Sequence, residues 1–151
     1  MFSFFKQKPF FTPEEEQQIT EAIRNAELRT SGEVRIFIES RCKFVDPLDR
    51  AVELFYGLKM DQTKERNAVL VYIAIKDHQL AVFGDQGIHE RTGMDFWNRE
   101  VSLMLTHFNK ENYADGLVKV VNEIGEALHH HFPYDKAADK NELPDTIVFG
   151  K

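Results

Sequence analysis

Runs of apolar residues separate into two periods along this chain, and the longest run sets the frame. Ala68 to Ile75 is an uninterrupted eight-residue apolar stretch rich in Val and Ile, which predicts a strand buried on both faces, as in sheets covered by helices. Lys76-Asp77-His78 turns the chain, and Gln79 to Phe83 predicts an antiparallel partner that ends at Gly84-Asp85-Gln86-Gly87. Glu33 to Glu39 alternates instead, with Val34, Ile36 and Ile38 on one face and Glu33, Arg35, Phe37 and Glu39 on the other. That period of two predicts a further strand.

Helical periods flank these strands. Thr12-Pro13-Glu14-Glu15 carries a cap, a first-turn proline and a capping-box glutamate, and Ile19, Ala22, Ile23 and Ala26 then form one apolar stripe. Gly32, after Thr30-Ser31, suits a left-handed terminating position. Asp46-Pro47-Leu48-Asp49 repeats the start signal, and Leu48, Ala51, Val52, Phe55 and Leu58 continue as a stripe. Thr92 with Asp95 predicts a cap for a helix bearing Met94, Trp97, Val101, Met104 and Phe108, and Asn112 with Asp115 predicts one for Tyr113 to Leu128, with Pro133 beyond its end. Strand, helix and buried strand make a right-handed βαβ unit with parallel strands. The expected fold is α/β: a single-domain α/β/α sandwich whose central mixed sheet, a βαβ unit plus an antiparallel hairpin, is flanked by about four helices. Residues 11–133 form the domain, 1–10 an aromatic leading segment and 134–151 a charged tail whose apolar Ile147-Val148-Phe149 docks on the body or on a partner.

Composition narrows the function classes. With 19 basic against 25 acidic residues the net charge is -6, and no basic run or RNA-binding aromatic motif is present, so a nucleic-acid partner is disfavoured. Cys42 is the single cysteine, which rules out an intramolecular disulfide. No stretch reaches the roughly 18 apolar residues of a membrane span, and the expected location is the cytoplasm.

Chain direction supplies the candidate site. Strands 1 and 2 begin at one edge of the sheet and the antiparallel strand finishes there, so Thr30, Ser31, Gly32 and Glu33, Arg66 and Asn67, and Gly84, Asp85 and Gly87 are expected to meet. Two carboxylates, two hydroxyls, an amide, a guanidinium and Gly-exposed N–H groups are competent to hold a cation or a phosphate-like anion. Glu33 and Asp85 are the metal candidates, for Ca²⁺ or Mg²⁺. The alternative is ordinary turn chemistry, with Ser31 and Asp85 bonding local backbone and Arg66 solvated.

Other polar clusters read more simply. Arg41, Cys42, Asp77 and His78 collect at the opposite edge, where a tight hairpin needs polar residues. Consecutive helical residues such as His129-His130-His131 point about 100° apart and cannot all grip one ion; they suit a helix C-terminus. Walker A, GxGxxG, GxSxG, HExxH and paired CxxC motifs are absent from the sequence.

Thr30-Ser31-Gly32-Glu33-Val34-Arg35, Arg66-Asn67-Ala68-Val69-Leu70, Gly84-Asp85-Gln86-Gly87-Ile88 and Ile124-Gly125-Glu126 ending at His131-Phe132-Pro133 together resemble the TPM domain family. Its members include a thylakoid-lumen protein of photosystem II repair and an acetylcholine-receptor accessory protein. The resemblance implies an α/β/α sandwich and, for a plant member, acid phosphatase activity with bound calcium, an activity not general across the family. Ala68 stands where Gly usually follows the Asn, and a signal sequence and anchor are not seen, so the chain looks like a freestanding bacterial relative. The leading functional expectation is a binding or accessory module for a larger, membrane-associated assembly. The other is a weak divalent-metal-assisted phosphatase acting on phosphomonoesters, with Glu33 and Asp85 on the cation and Arg66 with the Gly-rich turn on phosphate.

Overall fold

In the computed structural model, residues 10–44, 46–109, 112–134 and 147–150 are described. Among them, five α-helices surround a four-stranded sheet of order β3-β2-β1-β4. The elements are α1 (Pro13–Glu27), β1 (Glu33–Glu39), α2 (Pro47–Gly57), β2 (Ala68–Ala74), β3 (Gln79–Gly84), α3 (Gln86–Thr92), α4 (Met94–Asn109), α5 (Tyr113–His131) and β4 (Val148–Phe149). A short 3₁₀ turn, Met60–Gln62, precedes β2. The expected α/β/α sandwich is therefore correct, with one more helix than anticipated.

The local signals act as their chemistry requires. Thr12 and Glu15 exchange both bonds of a capping box, the Glu15 N–H donating to Thr12 Oγ1 at 3.1 Å and the Thr12 N–H to Glu15 Oε1 at 2.9 Å. Asp46 accepts from the Leu48 N–H at 2.9 Å and starts α2. β1 runs parallel to β2, Glu33 opposite Ala68 through Glu39 opposite Ala74, and β3 returns antiparallel with Gly84 opposite Val69. All seven residues of β2 are buried, as its two apolar faces demand.

Two cores result, one on each face. Val34, Ile36, Ile38, Val69, Val71 and Ile73 pack under α1, α4 and α5, whereas Leu70, Tyr72, Ala74 and Phe37 pack under α2. Phe11 is 3% exposed within the first core, which places it as packing; the rest of the aromatic leading segment lies mostly outside the described residues. Val148-Phe149 adds β4 parallel to β1, against Phe37 and Ile38, so the apolar end of the tail docks on the body. Most of that tail, residues 135–146, is outside the described residues.

Three local expectations are corrected. Gly32 is not left-handed: the positive-φ residues among those described are Gly93, Lys59, Arg66 and His78. Gly32 is needed for space instead, because a Cβ there would sit 2.7 Å from a Leu128 methyl and 3.1 Å from the Asn67 carbonyl. Thr92 does not cap α4; its hydroxyl donates to the Ile88 carbonyl at 3.2 Å, and Gly93 at φ 79° makes the corner between α3 and α4. Asn112 likewise makes no side-chain cap bond at the start of α5. At α4 and α5, packing of the apolar stripe rather than the cap signal carries the helix.

Candidate functional site

The edge where β1 and β2 begin is built from three segments, and the topology brings all of them together. Thr30 follows α1 and is 2% exposed; its hydroxyl reaches the carbonyls of Phe132 and, at 3.1 Å, Leu128, while its oxygen accepts the Gly32 N–H at 3.0 Å. The neighbouring Ser31 N–H donates to the Phe132 carbonyl at 3.1 Å. The end of α5 is thus stitched to the entrance of β1, and an isolated bridge between Thr30 and Pro133 completes the seam.

Asn67 opens β2 and lies under this seam at 1% exposure. Its Nδ2 donates to Ser31 Oγ at 3.1 Å, its backbone N–H donates to Thr63 Oγ1 at 3.2 Å, and its carbonyl accepts the Glu33 N–H at 3.4 Å. The Asn67 Oδ1 is buried with no hydrogen-bond partner. Glu33 is itself 2% exposed and shares the α2 side of the sheet with Arg35, whose guanidinium burial pulls below its ordinary value.

Asp85 and Arg66 form the strongest contact of the edge. Arg66 Nε donates to Asp85 Oδ2 at 2.6 Å and Nη2 to Oδ1 at 2.8 Å, a two-pronged pair whose hydrogen bonds raise the guanidinium value. Asp85 Oδ1 also accepts the Gln86 N–H at 2.8 Å, and the Asp85 N–H donates to the Ala68 carbonyl at 2.9 Å. Asp85 is 1% exposed, so a buried carboxylate is compensated on both oxygens. Arg66 is held at φ 54°, not the freely solvated side chain of the ordinary turn reading.

Gly84 to Gly87 is not a turn between strands. Asp85 caps α3, a seven-residue helix that linear reading missed because Gly, Asp, Gln and Gly in series look like loop chemistry. Gly87 donates its N–H to the Arg66 carbonyl at 2.8 Å, and a Cβ there would lie 2.1 Å from the Glu65 carbonyl oxygen and 2.6 Å from that of Arg66. A Gly84 Cβ would meet the Trp97 ring at 2.2 Å. Both glycines admit close neighbours, and the Gly87 N–H is spent on the Arg66 carbonyl rather than on an open anion cradle.

All eight candidate residues therefore share one edge. Two contributors escaped the sequence reading: Thr63, which holds the Asn67 backbone, and Glu27, whose Oε2 accepts the Val34 N–H at 2.9 Å. Neither sits in a motif, and both act across a loop. Among the described residues no group of three or more His, Cys, Asp or Glu is arranged to hold a metal ion. A cation on Asp85 would have to replace the Arg66 guanidinium, whereas the bare Asn67 Oδ1 is an acceptor a cation could take.

The opposite edge follows its turn reading. Asp77 accepts the Cys42 N–H at 2.7 Å and pairs with Arg41 at 3.1 Å, and His78 takes φ 53° in the hairpin. His129, His130 and His131 lie in the last turn of α5.

The profile of the TPM domain matches residues 5–127. The chain is similar to the BA42 protein of the psychrophilic bacterium Bizionia argentinensis, whose NMR structure aligns at 41% identity and a TM-score of 0.87 over 97% of this chain and 99% of that one. The N-terminal domain of the cg2496 protein from Corynebacterium glutamicum aligns at 12% identity and a TM-score of 0.62, over 82% and 85% of the two chains. The N-terminal domain of a P. gingivalis protein aligns at 18% and 0.60, over 83% of each; these two share the fold. No curated protein matches at a significant level.

Proposed function

This chain belongs to the TPM domain family, and from that premise we propose that it works as a binding or accessory module for a larger protein assembly. One observation carries the reading: the polar edge most suited to chemistry is occupied by its own contacts. Both oxygens of Asp85 serve Arg66 and the Gln86 N–H, and the Asn67 amide serves Ser31. A nucleophile or general base needs a lone pair aimed at substrate, and here the Asp85 carboxylate is engaged by the Arg66 guanidinium and the Gln86 N–H. Among the described residues no helix is long and apolar enough to cross a membrane.

The test is quantitative capture of cross-linked partners by the full chain, beside a phosphomonoester assay of wild type and Asp85→Asn. A partner recovered in stoichiometric amount, with no hydrolysis that distinguishes the two proteins, is expected. Hydrolysis that Asp85→Asn removes while the protein stays folded would replace this reading with the phosphatase one.

The buried Asn67 Oδ1 favours a second reading, a divalent cation taken at that oxygen. Such an ion would polarise a phosphoryl oxygen if phosphate entered beside Arg66. Its signature is a melting temperature that rises with millimolar Ca²⁺, Mg²⁺ or Mn²⁺ in wild type and not in Asn67→Leu. A wild-type melting curve indifferent to all three ions removes it.

A further inference from the structure

β1 is seven residues long, yet the strand on its outer side, β4, pairs with two of them, Phe37 and Ile38. Along one side of a strand the main-chain groups of alternate residues point outward. Two contacts identify that series here: the Val34 N–H is taken by Glu27 Oε2 at 2.9 Å, and the Ile38 carbonyl accepts the Gly150 N–H at 2.6 Å. Ile36 lies between them and points the same way. Among the described residues no strand pairs with β1 from Glu33 to Ile36 on this side.

The fit of the short strand is nonetheless specific. Ile147 packs toward the α1 and α5 core, and Val148 toward the α2 core. Gly150 follows where a Cβ would lie 2.7 Å from the Phe37 ring and 2.9 Å from Glu39 Cβ. Phe149 remains 48% exposed. A sheet edge thus selects an extended segment with apolar side chains on alternate faces and a glycine after them, while holding it through few pairings. Such a contact opens at low cost compared with the buried strands.

We propose that the outer edge of β1, Val34 to Ile38, is a strand-addition site for an extended segment of a partner protein, and that β4 is its resident occupant, displaced when the partner binds. This rests on the binding-module reading above and supplies its contact surface. The partner segment has the chemistry β4 displays, consecutive apolar residues followed by glycine, and continues in the upstream direction to reach Ile36 and Val34. A second copy of this chain would bring the same segment, which among the described residues pairs with Phe37 and Ile38 alone, and gain nothing over the tethered one. A longer strand gains main-chain bonds that β4 does not make, which is how strand addition builds affinity.

The experiment uses the full chain and a fluorescent peptide of residues 145–150, Asp-Thr-Ile-Val-Phe-Gly, as probe. Gly150→Val drives its new side chain into Phe37 and Glu39 and expels β4 in place. Peptide binding is expected to be about tenfold tighter to Gly150→Val than to wild type, because a tethered competitor is removed. Amide shifts on binding should centre on Val34 to Ile38 and Glu27. In wild type, saturating peptide should speed hydrogen exchange of the Gly150 amide, a readout that needs no variant. Equal affinity for the two chains, shifts elsewhere, or an unchanged Gly150 exchange rate would overturn the assignment. Concentration-dependent dimers that the peptide dissolves would identify a second copy as occupant and overturn it too. A captured partner that binds equally well beside saturating peptide would sink the β1 edge but leave the binding-module reading standing, whereas failure to recover any partner would count against that reading itself.

Discussion

Both ends of the parallel pair β1 and β2 are closed by an arginine on a buried carboxylate, but the two closures are built from different parts. At the entering end Asp85 binds Arg66 and three segments meet backbone to backbone, with Gly87 against the Glu65 and Arg66 carbonyls. At the leaving end Glu39 takes two bonds from Arg50, at 2.9 Å each, and one from the Tyr72 hydroxyl. Arg50 also reaches Glu53. Side chains from the sheet and a helix make the closure there: Glu39, Tyr72 and Arg50. Hydrogen-bonded side chains can be changed in steps, whereas a close backbone approach is either available or blocked.

The largest expected effect tests the entering end. Gly87→Ala places a methyl inside contact distance of two carbonyl oxygens and should destabilise by about 3 kcal/mol or more, since neither is the end of a flexible side chain. Chemical denaturation that moves by less than about 1 kcal/mol would mean the approach yields easily, and the contrast between the ends would fall. Asp85→Ala comes next. It removes the α3 cap and strands Arg66, and a loss of about 2–3 kcal/mol is expected, the lower side of a broken buried pair because Arg66 is one-third exposed.

The leaving end should respond more mildly and through pH. Burial alone would raise the Glu39 carboxyl, but hydrogen bonds from Arg50 and Tyr72 and the charge of Arg50 outweigh it and hold the group below its ordinary value. The resulting stability is present above the unfolded value of about 4.3 and lost as pH falls through the depressed folded one. Glu39→Gln should therefore cost about 1–2 kcal/mol at pH 7 and flatten the acid limb of the stability curve. An acid limb identical in both proteins would detach Glu39 from the closure. The smallest change is a gain: Gly57, at the end of α2, has nothing within 4 Å of a Cβ position, so Gly57→Ala should add about 0.5–1 kcal/mol. A loss there would show that glycine is demanded at this end for more than space.

One buried group outside both closures sharpens the pH comparison. Glu100 on α4 is 1% exposed; burial, then the hydrogen bond and charge of Glu123, push its carboxyl up to about 8, with Arg99 opposing. The sign is opposite to that of Glu39: stability is full below the unfolded value and is lost as pH rises toward 8. Stability measured from pH 5 to 9 should fall in wild type by at most about 1.4 kcal/mol per pH unit and fall less in Glu100→Gln. Parallel curves would remove Glu100 as the titrating group.

How far the fold could be read from residues depended on whether the signal was local. Thr12 with Glu15 and Asp46 with Pro47 define helix starts within four positions, and the alternation of Val34, Ile36 and Ile38 defines a strand by itself. The meeting of Ser31, Asn67 and Asp85 followed from chain direction alone. What could not be read was the purpose of each glycine. Gly32 and Gly87 are identical in sequence to turn glycines, and their need for space appears only once Leu128 and the Glu65 carbonyl are placed beside them. α3 was hidden for the same reason. β4 was too short to show a period, and its two residues are defined by Phe37 and Ile38 rather than by their own pattern. The engagement of Asp85 by Arg66 was anticipated only as proximity, because the left-handed backbone of Arg66 that aims its guanidinium has no local marker.

The Thr30 hydroxyl joins positions 98 and 102 residues apart in the chain, the Leu128 and Phe132 carbonyls. A loop of that length is closed late, since its entropy must be met before the contact returns anything. β1, β2 and β3 can assemble over short separations, while α1 depends on α5 for much of its packing. The seam at Thr30 is therefore expected to be absent from the folding transition state, so that weakening it hastens unfolding and leaves the folding rate almost unchanged. The lifetime of the native state is governed there, at the last stitch made and the first to open.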